Sequence, residues 1–259
     1  MATDAPITVS DQDHKEDKSM DAQQHASVEM NEVATPAVAT ESRISTKRIV
    51  GFIALAYAAS MIAQNAVYVA TGAPDYGDPL DVVLAYHADY AVATGITTGL
   101  EAVNLPLLLL FVTALYGLVQ RRGGAGANWS RLAVAAGATV AALFAIMMAT
   151  SITTVLTADG LAEPTPTFAL IWRLHAAVFA LVMPALGATF IGAALATHAS
   201  GLTRPWQRVL GLVGGGLLFF AGPGNLAVSD GSPLIYVGVL GLFMWIAWII
   251  ATGLRLIRG

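Results

Sequence analysis

The chain contains no cysteine, which excludes disulfides, iron–sulfur ligation and thioether-linked haem. Charge is scarce as well. Only 12% of the 259 residues are charged, against roughly 25% in a soluble domain, whereas 56% are hydrophobic and the mean hydropathy is +0.66. No phosphate-cradling glycine loop, metal-spaced His/Glu motif or nucleophile elbow occurs, so no metal or cofactor is expected and nothing points to catalysis. The basic residues are dispersed, which leaves nucleic-acid binding unsupported; the partner implied by composition is a lipid bilayer.

Positive charge is also missing from every second connection between apolar runs. Taking ~20 apolar residues per crossing, spans fall near 49–70, 92–118, 132–156, 167–197, 206–226 and 233–254. An all-α bundle of six transmembrane helices is therefore expected over 45–259. Arg43, Lys47 and Arg48 precede the first span, Arg121, Arg122 and Arg131 separate the second from the third, Arg204 and Arg208 separate the fourth from the fifth, and Arg255 and Arg258 close the chain. Random placement would put all ten on one side about once in five hundred trials, so both termini are assigned to the cytoplasm of a multi-pass plasma-membrane protein. The opposite loops carry only acids: Asp75, Asp78, Asp81, Asp89, Asp159, Glu163 and Asp230.

The net charge of −4 hides an uneven distribution. Residues 1–42 hold nine acidic residues against Lys15 and Lys18, giving −7 there and, by subtraction, +3 for the remainder. With few large apolar residues, residues 1–44 read as a disordered acidic cytoplasmic tail. In the long first outer loop, Asp78-Pro79 reads as an N-cap followed by proline at the first helical position. Leu80, Val83, Leu84 and His87 then share one helical face, which predicts a short helix along the outer interface. Tyr76, Tyr86 and Tyr90 around it suit an aromatic belt. The Asn128-Trp129-Ser130 acceptor motif falls on the cytoplasmic side and is discarded.

Small residues in the third and fourth spans, Gly187 and Gly192 among them, predict close helix packing. Gly211-x-x-x-Gly215 in the fifth span reads the same way, with a homodimer seam as the alternative. That span should end early, at Ala221-Gly222-Pro223-Gly224-Asn225.

Polar side chains gather in the outer half. Thr94, Thr97, Thr98, Glu101 and Asn104 form one stripe at ~100° per residue. Tyr57, Ser60, Gln64 and Tyr68 share a face of the first span, next to Asn65, and Arg173 and His175 enter the fourth span within its first turns. At 1.5 Å rise per residue, Glu101 lies roughly 14 Å and Arg173 roughly 9 Å below the outer boundary, so a bidentate Glu101–Arg173 pair is expected. Arg173 and His175 point nearly opposite ways, which leaves His175 without an assigned role. The candidate ligand or ion-pair residues are thus Glu101, Arg173, Asn104, Gln64, Asn65, His175, Thr97 and Thr98. They suit a pocket for a small polar or amphipathic molecule, with Glu101 as its charge or proton-coupling group. One alternative is a structural or partner-binding subunit whose polar residues only fix helix packing. The other is a haem- or quinone-linked redox protein; His198 is too far along the fourth span to share an iron with His175, whereas His87 is not.

Lys47-Arg48-Ile49-Val50-Gly51 opening the first span, the acidic first outer loop and the run through Pro184-Ala185-Leu186-Gly187 carry a further signal. With these features the chain resembles a group of uncharacterised bacterial six-span integral membrane proteins defined as a domain of unknown function. The resemblance covers about residues 45–255. It implies the topology and a bacterial plasma membrane, and brings no activity with it.

Overall fold

The computed structural model describes residues 37–259, with side chains from Thr46 onward. No strand occurs among the described residues. Among the described residues eight helices follow one another: α1 (Ala37–Thr71), α2 (Leu80–Asp89), α3 (Ala91–Gln120), α4 (Gly126–Ala158), α5 (Pro166–Ala199), α6 (Pro205–Ala221), α7 (Asn225–Ser229) and α8 (Ile235–Arg258). Most of the acidic tail expected over 1–44 lies outside the described residues. Its last part, 37–44, belongs to α1.

Five helical segments, Thr46–Thr71, Ala91–Gln120, Gly126–Ala158, Pro166–Ala199 and Ile235–Arg258, are long and apolar enough to cross a membrane. The expected count was six. The helix that falls short is α6, whose 17 residues extend only ~25 Å against a hydrocarbon core of ~30 Å. It ends where the glycines and proline predict, at Ala221, and three turn residues lead into α7. The turn lies close to α5: a Cβ on Gly222 would come within 2.9 Å of the Pro184 ring.

Ser45–Gly259 forms one unit. Within it α5 is the most enclosed of the five long helices, with α4 and α6 on either side. Missing side chains bring the backbones together. A Cβ on Gly192 would meet Ala133 N of α4 at 2.8 Å, one on Gly187 would meet Gly215 O of α6 at 2.6 Å, and one on Gly211 would overlap Ala194 Cβ. Gly211 and Gly215 are therefore buried against α5 of the same chain. The residues proposed for a homodimer seam are occupied internally.

Helix α6 runs antiparallel to α8, Gln207 bonding Thr252 near one end and Ala221 lying beside Gly238 at the other. Helix α1 approaches α8 where Gly51 meets Gly253. In this half, Phe111, Phe190, Trp245 and Trp248 interlock with ring centroids 5.0–6.4 Å apart. That aromatic core fills the half next to the basic ends of the helices. The other half contains Glu101 and His175 with their polar partners, although Thr189, Thr197, Gln207 and Thr252 are buried polar side chains of the first half.

The short helix predicted in the first outer loop is α2, but its start and its face differ from expectation. Pro79 is the N-cap residue and makes no side-chain cap bond, while Asp78 Oδ2 accepts from Asp75 N at 2.8 Å instead. Val83 and Leu84 are buried with Ala158, Phe168 and Trp172, so the apolar face of α2 covers the ends of α4 and α5. Burial against protein removes that face from contact with lipid.

Candidate functional site

The stripe on α3 turns inward because one side of that helix is polar and the other apolar, and the apolar side can face lipid without cost. Thr94, Thr97 and Glu101 are buried, whereas Ile96 and Val103 on the other side are exposed. Glu101, only 1% exposed, faces α1. Gln64 Nε2 donates to its Oε1 at 2.8 Å, and Tyr68 OH donates to the same oxygen at 3.0 Å. Asn104 Nδ2 donates to Gln64 Oε1 at 2.8 Å. Two turns of α1 and two of α3 are thereby joined through a carboxyl, two amides and a phenol.

Arg173 takes no part. It is exposed on α5, and among the described residues Glu101 has no ion-pair partner. The inward face of α5 carries Trp172, Ala176, Ala180 and Met183, which leaves Arg173 on the face with Ala177 and Leu181. From ~9 Å below a boundary an arginine can extend its head to the interface, so no buried carboxylate is required to accommodate it. Asn65 also turns away, its Nδ2 donating to Met61 O at 2.8 Å. Thr97 and Thr98 both bond Thr94 O of their own helix.

His175 does have partners. Its Nδ1 lies 3.0 Å from Thr150 Oγ1, 3.4 Å from Ser151 Oγ and 3.3 Å from Met147 O, all on α4. Its ring stacks on Trp172 with centroids 5.5 Å apart, and Tyr76 covers Trp172, His175 and Phe179 at 5.3–5.8 Å. Tyr76 is thus a site residue and not a belt aromatic. Burial pushes its phenol well above its ordinary pKa, and Tyr68 and Glu101 add to that rise, which makes the two clusters electrostatic neighbours. The His87 ring rests edge-on against Trp172 at 5.7 Å.

Several buried polar atoms here have no hydrogen-bond partner: Ser60 Oγ, Thr94 Oγ1, Glu101 Oε2, Asn104 Oδ1, both His87 nitrogens and Trp172 Nε1. They extend from α1 through α3 to α2 and α5. An unmade bond of this kind costs about 1–3 kcal/mol; others occur at His198, Ser200, Trp245 and Trp248, but the unpartnered carboxyl oxygen is in this cluster. Comparison of the chain with protein-family models, with curated proteins and with solved structures gives no match. The geometry of this polar core therefore carries the functional argument.

Tyr68 shares the Ser60–Gln64 face and was legible as polar, but nothing in the sequence ranks it above Asn65 as a Glu101 partner. Thr150 and Ser151 were legible only as members of a polar helix end. Tyr76 carries no sequence signal, because a loop tyrosine in an aromatic-rich segment suits the interface equally well.

Proposed function

We propose that the chain is a bacterial plasma-membrane protein with both termini in the cytoplasm, and that its outer-half polar core binds a small polar or amphipathic molecule through Glu101. Six crossings are part of this reading, α6 together with the turn and α7 making the fifth. Two observations support that count. The antiparallel course of α6 against α8 returns the chain to the end from which α6 starts, and the basic residues flank that same end. The α2 helix then lies at the outer surface as a cover over α4 and α5.

The observation that carries the binding reading is Glu101 Oε2. One carboxyl oxygen receives two hydrogen bonds and the other, equally enclosed, receives none. Asn104 Oδ1, in the same network, is a second unpartnered acceptor. Paired acceptors favour an occupant that donates, such as an ammonium, a hydroxyl or an exchanging proton. Opposing this is a purely structural reading, favoured by the unbroken Asn104–Gln64–Glu101–Tyr68 chain between α1 and α3.

Difference infrared spectra of the wild type minus Glu101→Gln separate the two. A Glu101 carboxyl band that shifts when small ammonium or polyol probes are added is the expected result. A band insensitive to these probes, with a large loss of melting temperature in the variant, would leave Glu101 as a helix clamp.

A further inference from the structure

At the basic end, the first turn of α6 and the last turns of α8 enclose a groove of about 440 Å³, lined by Arg204, Trp206, Gln207, Leu254, Arg255 and Arg258. A smaller cavity of about 60 Å³ adjoins it, sharing Arg255 and adding Lys47 and Arg122. Guanidinium groups repel one another, and an anion held between three in one concavity relieves that repulsion. Among the described residues no acidic side chain neutralises them, since those are Glu101 within α3 and the aspartates and glutamate of the opposite loops; Gly259, the last residue of the sequence, also lines both cavities, and its single carboxylate does not balance three guanidinium groups.

The three arginines are also held differently. Arg255 Nε donates to Leu202 O at 2.7 Å, which fixes its stem and leaves the terminal nitrogens for another acceptor. Arg204 and Arg258 are exposed and make no side-chain bond to described residues. One anchored and two adjustable planar donors suit a phosphate group, which accepts from several directions. The volume exceeds what a bare phosphate fills.

The rim shows where the remainder of a larger molecule would lie. Trp206 is 51% exposed and Leu254 37%, and along the same side of α6 Val209 and Val213 follow at helical spacing, 59% and 48% exposed. An interfacial tryptophan above an apolar helix face is the arrangement of a lipid boundary. We propose that this groove binds the phosphate-bearing headgroup of an anionic membrane lipid, its acyl chains lying along the exposed apolar face of α6. The inference rests on the membrane reading but is independent of the polar core around Glu101.

The test uses the full chain purified in neutral detergent, with phosphatidylglycerol, phosphatidylcholine or inorganic phosphate added. Thermal melting and native mass spectrometry read the binding. Phosphatidylglycerol is expected to raise the melting temperature and remain bound, whereas phosphatidylcholine is not. Combined Arg204→Gln and Arg258→Gln, which spares the Arg255–Leu202 bond, should weaken phosphatidylglycerol binding on the order of tenfold. Combined Arg121→Gln and Arg131→Gln, the same loss of charge at the same end, should leave it within about twofold. Melting without lipid checks that the variants fold, and if the double variant does not, Arg258→Gln alone is read in its place. Equal effects of the two lipids, or equal weakening by the two charge-matched variants, would overturn the proposal in favour of diffuse surface attraction. A shift reproduced by inorganic phosphate alone would assign the groove to a soluble anion and overturn the lipid. Failure of the infrared test at Glu101 leaves all of these outcomes unchanged.

Discussion

His87 is 7% exposed, neither of its ring nitrogens has a partner, and burial pushes its pKa down to about 4. An unfolded histidine titrates near 6.5, so between these values the unfolded chain binds the extra proton. Stability from this residue is therefore complete above about pH 6.5 and is lost as pH falls toward 4, by up to ~3 kcal/mol. His87→Phe, which fills the same space and cannot titrate, should flatten that part of the melting-temperature profile between about pH 7 and 4.5. Parallel profiles for the two proteins would place the sensitivity elsewhere. Arg173 shows the limit of residue-scale reading. Helical spacing alone separates it from His175 by about 200°, but alanines follow on both faces, and the pattern does not say which face the bundle buries. Trp172 decides it. Its ring is covered by Tyr76 and touched by His87, and both neighbours come from segments whose path the sequence leaves open.

At the scale of elements, five of the long apolar runs became long helices, because run length determines them; most ends fall within a few residues of expectation, but α1 starts twelve residues and α4 six residues before the expected span. The length of α6 was legible in part. Gly222-Pro223-Gly224 marks its end, but whether the turn lies inside or outside the apolar layer depends on the packing of Gly222 against Pro184. The glycines of α6 were legible as contacts while their partner was not, since a close-approach motif serves a neighbour in the same chain or in another equally well. Gly211 and Gly216 differ sharply in this respect. A Cβ at Gly211 overlaps Ala194, whereas one at Gly216 meets nothing within 4 Å. Gly211→Ala should cost about 1–3 kcal/mol, and Gly216→Ala should be neutral or stabilising by up to ~1 kcal/mol. Denaturation of both variants in detergent measures the difference; equal stability would mean that α5 and α6 pack more loosely than the overlap implies.

At the scale of the whole molecule, interlocked aromatic rings lie in the half near the basic ends together with buried Thr189, Thr197, Gln207 and Thr252, whereas the buried carboxyl, its amide and phenol partners and the imidazole of His175 lie in the half near the acidic loops. The one ionisable carboxyl inside the helices thus lies on the same side as the acidic connections. That placement was legible from sequence because loop charge and buried polar stripes each have a simple spacing. The pairing around the carboxyl was not, since it depends on the rotation of each helix. Cysteines placed at Asp78 and Asp159 should react with an impermeant reagent in intact cells, and one at Arg122 should not; labelling at Arg122 would reverse the orientation. The short α6 also shapes its flank of the bundle. Four of its outward residues, Trp206, Val209, Val213 and Phe220, are exposed, while the helix itself is about 5 Å shorter than an average hydrocarbon layer. In the proposed six-crossing arrangement the turn and α7 supply the remaining depth, and Leu226 of α7 is 85% exposed. At that level the flank is continued by the start of a second short helix and not by an unbroken one.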